Sequence, residues 1–119
     1  MSLKAHTRKV GSVAVIDLSG RITLGEGSGT LRESVKAAMD ASEKQIVLNM
    51  GDVTYIDSAG LGELVGSYTT VSNAGGTLRL ANVQKKMKDL MQITKLYTIF
   101  QAYDSEAEAV QSFGSTASA

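Results

Sequence analysis

A chain of 119 residues with 12 basic and 12 acidic side chains reads as one electrically balanced domain, long enough for a core of its own and poorly suited to holding a nucleic-acid backbone. It has no cysteine, which excludes disulfides, thiolate metal sites and a cysteine nucleophile. No apolar run approaches the ~20 residues that span a bilayer, and the one histidine, His6, reads as an ordinary strand or surface residue.

The chain opens with weak alternation over residues 4–10, an edge-strand pattern. Gly11 and Ser12 signal a turn, and "VAVIDL" at 13–18 is a β-branched strand, so the opening is a hairpin that Gly20 closes. A glycine-rich loop, "GRITLGEGSG", follows. Thr30 and Glu33 form a capping box for a first helix, whose inner face is Leu31, Val35, Ala38 and Met39. "QIVLNM" at 45–50 is a continuous apolar run, the mark of a central strand covered on both faces. "GDVTYID" is the loop leaving it. Leu61, Leu64, Val65 and Tyr68 set a helix over 60–74, stopped by Gly75 and Gly76.

"TLRLAN" is the next strand. Met87, Leu90 and Met91 give a short amphipathic helix with Lys85, Lys86 and Lys88 on its wet side. "YTIFQAY" is a last strand. Ser105 and Glu108 cap a final helix with Ala109, Val110 and Phe113 inward and Gly114 at its end, leaving 115–119 as a frayed tail. The order is β-β-α-β-α-β-α-β-α. That alternation defines an α/β domain over 1–114, with a mixed central sheet and helices packed on it.

Function in such folds concentrates in the strand-to-helix loops, and one of these holds "DSAG" at 57–60. Asp and Ser are preferred helix caps, which accounts for Asp57 and Ser58 on structural grounds alone. Capping leaves Gly60, Gly62 and Gly66 unexplained, because glycine inside a helix costs about 1 kcal/mol relative to alanine. Bare positions there suit close approach by another backbone. A serine nucleophile fails on inventory: a nucleophile elbow needs glycine where Ile56 stands, and the only candidate base is His6. The "GEGSG" cluster at 25–29 lacks the order and the lysine of a phosphate-binding loop. A phospho-accepting aspartate would need an acidic pair after the first strand, which is missing. There remains Ser58 as a phosphorylation switch, since a helix N-terminus favours an added anion. The lysines at 85, 86 and 88 read as a solvated face.

The stretch "VLNMGDVTYIDSAGLGELVGSY" resembles the signature of STAS domains, in particular the bacterial anti-sigma factor antagonists. The likeness extends to "VAVIDLSGRI", "LRESVKAAM", "GGTLRLANV" and "KLYTIF". It implies a cytoplasmic, non-enzymatic protein without cofactor or metal, and with neither nucleic acid nor membrane as a direct partner. It implies that the unphosphorylated chain binds an anti-sigma factor, itself a serine kinase, and so frees a sigma factor. The kinase ejects the antagonist by phosphorylating Ser58, and a serine phosphatase restores it. The partner surface is expected at Asp57, Ser58, Ala59, Gly60, Leu61, Gly62 and Gly66, with Thr23 from the glycine-rich loop. Ala59 stands where many members carry a second hydroxyl, so Ser58 is the single acceptor of the motif. The loop "TLGEGSG" also departs from the usual acidic and polar pattern. The alternative within the same resemblance is a non-switching adaptor in a stressosome-like or transporter assembly.

Overall fold

The computed structural model describes residues 3–118, with side chains described through Phe113. Five strands form one mixed sheet in the order β1-β2-β3-β4-β5. Strands β1 (Leu3–Val10) and β2 (Val13–Ile22) pair antiparallel around Gly11, whose φ of 61° suits a tight turn. Strands β3 (Gln45–Ile56), β4 (Thr77–Ala81) and β5 (Ala102–Tyr103) follow in parallel. Helices α1 (Glu26–Asp40), α2 (Ser58–Asn73) and α3 (Lys85–Thr94) contribute Leu31, Val35, Leu64, Val71, Met87 and Met91 to the core on one sheet face. Helix α4 (Glu106–Ser118) buries Ala109 and Phe113 against Val13, Val15, Val47 and Ala81 on the other. The α/β architecture and element order therefore match the sequence expectation, and "QIVLNM" lies in the middle strand.

The structure corrects the expectation in five places. Strand β2 does not stop at Gly20. It bends through two register shifts, between Asp17 and Ser19 and between Gly20 and Arg21, and stays paired to β3 as far as Ile22↔Ile56. Gly20, at φ 115°, supplies the backbone freedom the bend needs. "GDVTYI" is accordingly strand rather than loop, because β2 keeps it hydrogen-bonded.

The first helix starts four residues before the expected capping box. Thr30 and Glu33 lie inside it, and its N-cap is Gly25 without a side-chain cap. The Ser28 backbone N–H and hydroxyl both donate to the Thr23 carbonyl, at 3.0 and 2.9 Å, and fasten the first turn. Gly27 has to be glycine, since a Cβ there would stand 2.5 Å from the Arg21 carbonyl oxygen. Tertiary contact thus overrides glycine's poor helix propensity.

The run at 97–103 is not one strand. Ile99 and Phe100 return backbone hydrogen bonds to the Leu96 carbonyl, forming a turn at Leu96–Thr98, and only Ala102–Tyr103 join the sheet. The spacing of Leu96, Ile99 and Phe100 serves a turn that plants Phe100 edge-on against Tyr68, ring centroids 5.5 Å apart. Finally, α4 continues past Gly114, because a single glycine weakens a helix without ending it.

Candidate functional site

Three backbone pieces meet at one end of the sheet: the short loop 23–25 after β2, the last residues of β3, and the first turn of α2. The Asp57 N–H donates to the Ile22 carbonyl at 3.2 Å, which ends the strand pairing and aims the chain into the helix. Asp57 is the N-cap. One carboxylate oxygen accepts from the Gly60 N–H at 2.7 Å, and the other accepts from the Leu24 N–H at 3.1 Å. One side chain therefore satisfies an otherwise orphaned helix donor and tethers the neighbouring loop. These N–H groups, Gly60 first and then Leu24, hold the Asp57 carboxyl below the ordinary carboxylate range.

With the cap filled by Asp57, Ser58 is left as the first residue of α2, exposed, with its hydroxyl in no hydrogen bond among the described residues. Ala59 and Leu61 are half-buried, and Leu61 packs on the core. Gly60 is buried. A Cβ there would stand 2.0 Å from the Ile22 carbonyl oxygen, so the close backbone approach its glycine permits is to its own chain. Gly60 therefore leaves the set of surface positions expected to meet a partner. Gly62 and Gly66 are exposed one turn apart with open space beyond both. Thr23 is half-buried, and its carbonyl is committed to Ser28.

Two exposed apolar side chains, Leu24 and Tyr55, stand on the same loop and strand end and are not among the expected positions. Leu24 is 79% exposed, and Tyr55 is 49% exposed under the Arg21 guanidinium, 4.9 Å from its ring centre. The available signal was a leucine isolated among loop glycines. A salt bridge of 3.1 Å between Arg32 and Glu63 joins α1 to α2. His6 is exposed on the edge strand β1.

This end of the sheet carries an exposed hydroxyl, a fixed carboxylate, two bare glycines and two exposed apolar side chains. Residues 4–109 match the STAS domain family model. The chain belongs to the STAS domain family, and within it to the anti-sigma factor antagonists. It is 30% identical over 96 residues to the anti-sigma-B factor antagonist of Bacillus subtilis (strain 168), covering 81% of this chain and 86% of that one. In fold it is similar to an anti-sigma factor antagonist from Mycobacterium paratuberculosis, with a TM-score of 0.82 at 20% identity over 93% of each chain. It is also similar to the Bacillus cell fate determinant SpoIIAA in its phosphorylated form, with a TM-score of 0.68 at 20% identity, covering 91% of this chain and 97% of that one. Among the described residues no helix is long and apolar enough to cross a membrane.

Proposed function

We propose that this chain is a cytoplasmic anti-sigma factor antagonist that binds an anti-sigma factor and is switched off by phosphorylation of Ser58. The observation that carries the reading is the division of labour at the start of α2. Asp57 already caps the helix, so the Ser58 hydroxyl has no structural duty, yet it stands exposed at the positive end of a 16-residue helix. A phosphate there meets free N–H groups and leaves the fold standing, while adding a charge of about −1.5 to −2 beside Asp57.

The partner surface in this reading is Thr23, Asp57, Ser58, Ala59, Leu61, Gly62 and Gly66, joined by Leu24 and Tyr55. The partner is a serine kinase, and a serine phosphatase reverses the modification. Release follows from electrostatics. A surface shaped for the single charge of Asp57 meets a second one at close range, and an unpaired charge buried in an interface costs about 2–5 kcal/mol, roughly 30-fold to several thousand-fold in affinity.

The test pairs mass spectrometry with binding titrations against the cognate anti-sigma kinase. Ser58→Ala folds, binds and is never released by ATP, whereas Ser58→Asp folds and binds weakly. Gly62→Trp abolishes binding and leaves the melting temperature nearly unchanged. Phosphate found only on another residue, or equal affinities for the alanine and aspartate variants, sinks the reading.

A further inference from the structure

Strand β4 pairs with β3 only from Gln45↔Thr77 to Asn49↔Ala81. Beyond Asn49 the β4-side edge of β3 has no strand beside it, and α3 crosses there instead. The Gln84 amide reaches the open edge and donates to the carbonyls of Gly51 and Val53, at 2.7 and 3.3 Å. Between the overhanging strand and the helix lies a half-open groove of about 380 Å³. Its walls include Met50, Val53, Ile56, Met87, Leu90 and Ile93. Ile93 is 80% exposed, which leaves apolar surface wet at the groove's edge. The size and the apolar lining fall within the range of small-molecule sites, and methionine adapts its shape to an occupant.

The charges at the rim select the head group. Asp89 and Lys86 both line the groove; Asp89 pairs with Lys85 at 3.0 Å across one exposed helical turn, and Lys88 pairs with Asp104 at 2.5 Å. Lys86 is exposed and makes no ion pair among the described residues, so the mouth carries one unspent positive charge. We propose that the groove between β3 and α3 binds a single-chain amphiphile with an anionic head, a medium-chain fatty acid, its tail against Met50, Ile56, Met87 and Leu90 and its carboxylate at Lys86. The groove does not include Ser58, but it shares Tyr55 with the proposed partner surface, and its strand wall runs directly into Asp57.

The experiment is a titration of the isotope-labelled full chain with octanoate, decanoate, decanol and decyltrimethylammonium, followed by backbone amide shifts below the micelle threshold. Decanoate gives saturable shifts at residues 53–56 and 86–93. Affinity rises about fourfold for each methylene between octanoate and decanoate. Lys86→Gln weakens decanoate about two- to fivefold and leaves decanol unchanged, as expected for an exposed ion pair. Ile93→Glu, at an exposed position that does not endanger folding, removes decanoate binding. Four outcomes overturn the proposal: no saturable shift with any probe, as for a groove reserved for a protein partner; shifts centred elsewhere; equal affinity for the cationic probe; or indifference to Lys86→Gln.

Discussion

The two halves of β3 differ although they form one strand. Over its first half Ile46, Val47 and Leu48 are fully buried, with β2 on one side, β4 on the other and helices over both faces. Over its second half Asp52, Thr54 and Tyr55 are exposed, and only β2 continues alongside. The first half is scaffold. The second is an arm hydrogen-bonded to β2 along one edge and met on the other by the Gln84 side chain rather than a strand, and it leads into Asp57 and Ser58. A rigid root with a half-free end lets a binding site vary its side chains without disturbing the core that aims it.

The sharpest way to break this contrast is to truncate one side chain in each half. Leu48→Ala removes a fully buried side chain from the middle of the core and should cost about 2–5 kcal/mol in urea unfolding. Tyr55→Ala removes an exposed ring whose main neighbour is Arg21, and should cost under about 1 kcal/mol. Comparable losses would mean that the arm is as much core as the root.

The same contrast recurs on α2 between Gly60 and Gly62. Gly60→Ala forces a methyl against the Ile22 carbonyl and should destabilise by about 1–3 kcal/mol, with the strand end displaced. Gly62→Ala adds its methyl to open space and should stabilise the helix by up to about 1 kcal/mol. If both substitutions stabilise, the close approach at Gly60 is softer than its geometry indicates.

What could be read from the residues was whatever local pattern decides. The helical stripes Leu31–Val35–Ala38 and Met87–Leu90–Met91 announce themselves by spacing, "QIVLNM" by its unbroken apolar run, and Asp57 and Ser58 by cap chemistry ahead of a helix. The features that were missed depend on contacts distant in sequence. Helix α1 begins within a glycine cluster because Arg21 and Thr23 hold it there, and no local propensity encodes that. Residues 51–56 are strand because the bulged end of β2 follows them. Gly60 and Gly62 look alike in sequence, and only the position of Ile22 separates the inward glycine from the outward one. The groove beside α3 exists because β4 ends at Ala81, seven residues short in register of the end of β3 at Ile56, a mismatch invisible until the strands are paired.

The smallest effect concerns the carboxylate that joins the arm to the loop. Asp57 is ionised more readily in the folded chain than in the unfolded one, because the N–H groups of Gly60 and Leu24 favour its charged form. A carboxyl whose pKa falls on folding contributes stability that is fully present above its unfolded pKa, about 3.9. That contribution is lost as pH drops through the lower folded value. The Asp57 contribution therefore adds no slope between pH 5 and 8 and appears only in acid. Asp17 behaves in the same direction, held down first by its hydrogen bond with Arg8 and then by that with Asn49, so it supplies a separate part of the acid loss. Asp57→Asn keeps an acceptor for the Gly60 N–H but sets an amide opposite Leu24, and it cannot ionise. Thermal unfolding followed from pH 7 down to pH 3 should show a shallower acid limb for Asp57→Asn than for the parent chain, and a shallower one again when Asp17→Asn is added. An unchanged acid limb would mean that the N–H groups of Gly60 and Leu24 do not stabilise the Asp57 carboxylate in the folded chain.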